Sequence, residues 1–434
     1  MLRRLRRLAE ATPPDRERVI DLLRAVAITA VVLGHWVVSA VGYDEARRLT
    51  AQSALPELPW AHALTWIFQV MPLFFLVGGY ANAASLTSHR AHGGDVAGWM
   101  LNRGTRLTRP TTALVLVLAG TAAVARWLGT DPALVRLAVW FACIPLWFLS
   151  VYLIVVLLAP VMYALHNRFG LAVPAVLLGL IALGDAGRLF GDAPLAYGNY
   201  LFGWLLMHQL GFAWRDRMLP GGRGFAVLLV SCGMVALLSL TLAGPYQISM
   251  INLPGERLRN MSPPSLALLA LFTVQLGLAL LLRDRAERWL RRSRPWIVVV
   301  ALNAVILTIF LWHISAAIVA AAALHALDLL PTLEIGSAAW WWWRIPWVLL
   351  LGVTLAGLVA IFGRIEMRHA QSPLGAGKAR LPFVVAAFLA VAAGLAENNL
   401  FPPDSPTRFG LPATALVAYL CGAGLLRLLT MRSS

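Results

Sequence analysis

Long apolar runs broken only by short loops constrain this chain more than any other feature. They cover, approximately, residues 19–41, 61–86, 111–128, 139–165, 171–187, 197–214, 225–243, 265–282, 296–325, 346–363, 381–396 and 411–430. A run of about 20 apolar residues crosses about 30 Å of hydrocarbon as a helix. Within hydrocarbon every backbone polar group has to be satisfied internally, which leaves helices or a closed barrel. Barrel strands alternate polar and apolar over about 10 residues, and these runs do not alternate. The sequence therefore predicts an all-α polytopic membrane protein with about twelve transmembrane helices. Of its 434 residues only 13% are charged, against about a quarter in soluble domains, so most of the chain is unsuited to water. No soluble domain and no internal repeat interrupts the pattern.

The formal net charge is +16. In a soluble protein such a charge points to nucleic acid. Here the arginines occupy the loops between apolar runs, as cytoplasmic loops do beside anionic lipid; membrane lipids are the expected partner and nucleic acid is not. When the N-terminus is set inside and the runs alternate, the inner side receives 26 of the 36 Lys and Arg, counting the tail from Arg427. This asymmetry predicts a multi-pass protein with both termini cytoplasmic. A single Lys among so many Arg, Ala and Leu suggests a GC-rich bacterial genome and hence a bacterial cell membrane. Residues 1–18, MLRRLRRLAEATPPDRER, have no apolar run or cleavage site behind them and read as a basic cytoplasmic arm, not a signal peptide. Cys143, Cys232 and Cys421 lack pairing or metal spacing. The tryptophan run Trp340–Trp343 reads as an interfacial belt.

Function has to come from polar groups inside the runs, where they are expensive. The first run is densest. Asp21, Arg24, Ile28, Val31 and His35 share one helical face, with His35 about 16 Å beyond Arg24 along the axis. Asp21 and Arg24 fit an ion pair at the helix end. His313 lies in the ninth run at matched depth, and two intramembrane histidines at one depth suit proton transfer near neutral pH. No third ligand stands at a telling metal spacing. His208 is a weaker third candidate. Arg103, Arg106 and Arg109 recur every three residues before Pro110; if helical, they form a basic stripe for phosphate groups or for lipid headgroups. Gly78 and Gly79 permit close backbone approach, and Asn82 and Ser85 follow one turn later.

These features resemble, in order, the membrane-bound acyltransferase family 3, whose members acylate cell-surface glycans and related acceptors. The family's first-helix signature, Arg, ten residues, then His, often preceded by Asp, matches Arg24 and His35 with Asp21. Its Phe-Phe-x-x-Ser-Gly-aromatic segment matches Phe74, Phe75, Gly79 and Tyr80, with Gly78 in place of the serine. Its Arg-x-x-Arg-Leu-x-x-Pro segment matches Arg103, Arg106, Leu107 and Pro110. Trp147, Leu149, Ser150 and Val151 match a further segment, with Tyr152 where the family has glutamate. A late Leu-x-x-His segment resembles Leu311 to His313 with looser spacing. The stretch from Trp147 resembles a branch of glucan-modifying succinyltransferases that also lacks the glutamate.

The resemblance implies a ten-helix acyltransferase-like domain over residues 19–363 and a two-helix extension over 364–434. It implies an acyl-CoA donor, acetyl-CoA foremost, carrying an acetyl- or succinyl-class group to a hydroxyl of a glycan, lipid-linked or other acceptor, with no metal. His35 is the expected general base, aided by His313 and Asp21. Arg24, Arg103, Arg106 and Arg109 are expected to bind the donor, and Gly79, Tyr80, Asn82, Trp147, Ser150 and Tyr152 the substrates. The alternative is a twelve-helix secondary transporter using intramembrane Asp, Arg and His as a proton relay, although the two halves show no similarity.

Overall fold

The computed structural model describes residues 10, 12–13, 16–43, 49–191, 194–254, 258–368, 377–401, 407 and 409–431. Most of the basic N-terminal arm, the charged segment 44–48, His369 and the C-terminal Arg432 lie outside the described residues. The helices are α1 (Arg18–Val38), α2 (Met71–Ala91), α3 (Val96–Trp127), α4 (Pro132–Cys143), α5 (Leu146–Phe169), α6 (Ala172–Phe190) and α7 (Asn199–Arg215). They continue with α8 (Arg223–Leu238), α9 (Leu266–Leu290), α10 (Ser293–Ala304), α11 (Ile306–Ala326), α12 (Ala338–Met367), α13 (Leu381–Leu400) and α14 (Ala413–Met431). The strands β1 (Ser39–Tyr43) and β2 (Leu49–Ser53) pair antiparallel, Ser39 opposite Ser53. The chain is an all-α polytopic membrane protein with almost no sheet.

Among the described residues eleven helices are long and apolar enough to cross a membrane. The run expected over 197–214 forms α7, whose 17 residues are short for a span, and this accounts for the difference from twelve. Three further departures have local causes. The expected loop before Pro110 is helical: α3 begins at Val96 and runs through Pro110. Asp95 caps it, accepting from Gly98 N at 2.7 Å, which satisfies an otherwise orphaned N–H. The run 139–165 splits at Ile144–Pro145 into α4 and α5; Ile144 itself keeps helical φ and ψ, and Pro145 has no N–H to carry the hydrogen-bond ladder across. The run 296–325 breaks between α10 and α11 at Val305, whose φ of −133° is not helical.

The chain divides into two compact units of interleaved sequence. The first holds Met1–Val31, Leu55–Ser85 and Ala159–Ala304; the second holds Val32–Ala54, Leu86–Leu158 and Val305–Ser434.

In the first unit glycines bring helices into backbone contact. A Cβ on Gly79 of α2 would land on the His208 carbonyl of α7, and one on Gly211 would land on the Leu76 carbonyl. Without a hydrophobic driving force between helices in lipid, such close approach is what van der Waals packing depends on. Asp185 of α6 ties further elements together. It accepts from Asn199 Nδ2 at 3.1 Å, Tyr246 Oη at 2.8 Å and Leu266 N at 2.8 Å, and pairs with Arg188 at 3.1 Å. Burial, then the Asp185 charge, pushes the Tyr246 hydroxyl pKa up.

In the second unit α13 and α14 pack side by side, with Gly394 and Gly422 at their contact. They are joined to the earlier helices by polar contacts. Ser150 of α5 donates to the Ala392 carbonyl at 2.7 Å. The buried Arg136 of α4 donates to Asn398 Oδ1 at 3.1 Å and to the Gly410 and Phe401 carbonyls at 2.9 Å each. The Trp340–Trp343 run sits in the first turns of α12: Trp342 is exposed, as a belt residue would be, whereas Trp340 is buried beneath Arg344, whose guanidinium stands 4.2 Å from the ring. Replacing Gly211 by Ala is expected to overpack the first unit by about 1–3 kcal/mol or more, read as a lowered unfolding temperature of the detergent-solubilised protein; an unchanged value would show that this contact does not hold the helices.

Candidate active site

The second unit brings His35 and His313 together. His35 lies in the last turn of α1, and His313 lies two turns into α11. Their rings stack with centroids 5.0 Å apart and 26° between planes, and His35 Nδ1 is 2.9 Å from His313 Nε2. The remaining bonds decide where the protons are. His313 Nδ1 stands 2.6 Å from the Phe310 carbonyl, and a carbonyl only accepts. His313 Nδ1 therefore carries a hydrogen. With one proton on its ring, its Nε2 accepts, and His35 Nδ1 is the donor. The lone pair of His35 is thus on Nε2, for which no hydrogen-bond partner stands among the described residues. His313 is fully buried, whereas His35 keeps accessible surface. The less buried residue of the pair is therefore the one whose ring has an available base nitrogen.

The pair is held by residues of α1 and β1. Ser39 Oγ donates to the His35 carbonyl at 2.6 Å, and Trp36 Nε1 donates to the His313 carbonyl at 2.9 Å. An aromatic series leads away from it: Phe310 is 6.0 Å from His313 and 5.3 Å from Phe148, and Phe148 stacks on Tyr152 at 5.5 Å. Two of the residues expected to bind substrate, Trp147 and Tyr152, flank Phe148 in this series. Ser150, the third expected on this helix, has its hydroxyl committed to Ala392.

The break before α11 exposes backbone N–H groups that need acceptors. Glu366, near the end of α12, supplies them: its carboxylate accepts from Leu307 N at 3.1 Å, Thr308 N at 2.8 Å and Thr308 Oγ1 at 2.7 Å. A carboxylate at a helix N-terminus also suits the helix dipole. Arg106 of the basic stripe lies within electrostatic reach of Glu366. Arg103 stands 5.8 Å from the Trp99 ring, and Arg109 donates to the Arg368 carbonyl at 3.4 Å. Arg106 and Arg109 are exposed and Arg103 is half-buried, so the stripe is helical and accessible. Neither Glu366 nor the Phe310 carbonyl belongs to a motif in the sequence. A lone carboxylate in the last turn of an apolar helix was the available signal for Glu366; a backbone carbonyl gives none.

The first unit holds the other expected residues. Asp21 is gripped by both arms of Arg16, at 2.7 and 2.8 Å, while Arg24 stands farther off at 3.9 Å. The bond to Asp21 raises the Arg16 pKa above its ordinary value. Asp21's carbonyl accepts from Asn303 at 2.9 Å. Tyr80 hydrogen-bonds Glu17, which also pairs with Arg283 at 2.6 Å. Asn82 Nδ2 is 3.0 Å from His208 Nε2, and both residues are buried. Gly79, Tyr80 and Asn82 thus fall on one short stretch of α2 beside α7, where His208 has a defined partner.

The lone pair on His35 Nε2 makes this ring the reactive one. Diethyl pyrocarbonate attacks an unprotonated, accessible imidazole nitrogen; mass spectrometry of the labelled protein is expected to find His35 modified and His313 unmodified. Labelling of His313 in preference to His35 would reverse the assignment.

Residues 18–363 match the acyltransferase domain of acyltransferase family 3. No curated protein and no solved structure matches the chain. The matched stretch runs from the start of α1 to the last turns of α12, and includes both histidines and the whole arginine stripe. The chain belongs to the membrane acyltransferases of family 3.

Proposed function

We propose that this protein moves an acyl group from cytoplasmic acyl-CoA to a hydroxyl of a glycan, lipid-linked or other acceptor, with His35 as general base. The observation that carries the reading is the paired imidazoles, whose hydrogen bonds leave the lone pair on His35, the less buried of the two. His35 Nε2 takes the proton of the acceptor hydroxyl as that oxygen attacks the thioester carbonyl. The tetrahedral intermediate then collapses, the carbon–sulfur bond breaks, and the leaving CoA sulfur receives the proton from His35. While His35 is charged, its Nδ1–H remains held by His313 Nε2. His313 so acts as a positioning residue, as the third member of a hydrolytic triad orients its histidine.

The donor's phosphates fit the accessible stripe of Arg103, Arg106 and Arg109, where guanidinium groups form forked bonds to phosphate oxygens. Trp147 and Tyr152, on the helix packed by its aromatic series toward His313, are assigned to substrate contact. Asp21, Arg24, Gly79, Tyr80 and Asn82 are assigned to the reaction on the family resemblance, Asp21 as an aid to the histidines, Arg24 for the donor, and Gly79, Tyr80 and Asn82 for the substrates. The cytoplasmic placement of both termini rests on the arginine distribution.

Replacing His35 by Ala is expected to lower acyl transfer from acyl-CoA to a cell-envelope extract by roughly 10²–10⁴-fold with normal amounts of protein in the membrane. Wild-type turnover in that variant would sink the assignment. The double substitution Arg103→Ala and Arg106→Ala is expected to weaken acyl-CoA binding to the purified protein while His35→Ala leaves binding near wild type; equal binding by both variants would remove the stripe from the donor site.

A further inference from the structure

A cavity of about 410 Å³ opens within the second unit. Its walls come from the β1–β2 hairpin, the end of α3, α4 and α11. Two of its wall residues adjoin the histidine pair. Ser39, which bonds the His35 carbonyl, is one wall residue, and Ile314, next to His313, is another. From Ile314 the lining continues along α11 through Ala317, Ile318 and Ala321. The opposite wall is Leu134, Ala138 and Phe141 of α4. Polar groups are few in the lining: Ser39 donates to the His35 carbonyl and Thr121 to the Val117 carbonyl at 2.8 Å, and Thr50, Gln52 and Thr130 are the others.

The order along two helices is informative. On α3 the arginine stripe precedes the cavity wall at Thr121 and Ala122 by about four turns. On α11 the order is Thr308 with Glu366 beside Arg106, then His313, then the cavity wall. A donor whose phosphates lie at the stripe and whose thioester lies at the histidines has its acyl chain as the leading end. That end points into the cavity. A methyl group would leave nearly all of it empty, since a water-sized group occupies about 30 Å³. A carboxylate or a sugar would lose its hydration for few partners in a lining that is mostly aliphatic.

We propose that this cavity receives the hydrocarbon chain of the acyl donor, so that the group transferred is apolar and longer than acetyl. This rests on the acyl-CoA reading above and replaces its acetyl or succinyl class with a hydrocarbon chain. Binding of CoA, acetyl-CoA, butyryl-CoA, hexanoyl-CoA, octanoyl-CoA and succinyl-CoA to the full chain in nanodiscs tests it. Affinity is expected to rise roughly fourfold per added methylene from acetyl to at least hexanoyl, with succinyl-CoA below butyryl-CoA. Ala138→Phe is expected to abolish the gain from chain length while leaving CoA binding unchanged. Leu134→Ala, which enlarges the cavity, is expected to move the best chain to greater length, and it carries the test if Ala138→Phe does not fold.

Three results overturn the proposal. One is chain-length gain that survives unchanged in both variants, as partitioning into lipid would give. Another is equal affinity for every chain while CoA itself binds, as a cavity for an acceptor or a bilayer lipid would give. The third is succinyl-CoA binding as tightly as butyryl-CoA. Failure of CoA itself to bind would instead refute the donor reading on which the proposal rests.

Discussion

One hydrogen bond sets the chemistry available to this protein: the one from His313 Nδ1 to the Phe310 carbonyl. It is local, three residues apart on one helix, and it consumes the only proton of a neutral ring. The consequence propagates outward, because the ring's other nitrogen can then only accept, and His35 has to present its proton inward and its lone pair outward. Buried imidazoles without such a bond interchange tautomers and define no base. The bond depends in turn on where α11 begins. An uninterrupted helix over 296–325 would place no carboxylate at Leu307 and Thr308; the break at Val305 creates the N–H groups that Glu366 satisfies.

Much of this was legible in the residues. Apolar run lengths gave the helices, and the depth match between His35 and His313 anticipated their contact across 278 positions of sequence. The helical period of three in Arg103, Arg106 and Arg109 anticipated a stripe. What could not be read were features decided by backbone breaks. Val305 carries no proline or glycine to announce its non-helical φ, and Pro110, which does look like a boundary, lies inside α3. A proline in a membrane helix is tolerated when neighbouring groups satisfy the freed backbone, and threonines crowd this segment: Thr108, Thr111 and Thr112 each bond a carbonyl one turn back. Partners from the basic arm before α1 were likewise invisible. Asp21 fitted Arg24 by helical spacing, yet Arg16, on the other side of the helix start, holds it with two shorter bonds.

The polar groups of the second unit serve two ends that the sequence could not separate. Ser150 looked like a substrate contact because it stands in a motif beside Trp147 and Tyr152, but its hydroxyl fastens α5 to α13. Tyr419 of α14 similarly meets Thr112 of α3 at 3.0 Å. Interhelical hydrogen bonds of this kind are individually modest, around 1 kcal/mol, so their value lies in register: each fixes which turn of one helix faces which turn of another.

Arg136 gives that register a sharper meaning. This buried guanidinium on α4 lies inside the matched family stretch, yet Asn398, Phe401 and Gly410, which receive three of its hydrogen bonds, all lie beyond residue 363. A cation stripped of its acceptors within an apolar interior is costly by several kcal/mol. The boundary drawn by similarity is therefore not a boundary of stability. A gene shortened to the recognisable domain would encode a protein with a stranded charge in its core, and the last two helices are as much a part of this protein's inheritance as the motif-bearing ones.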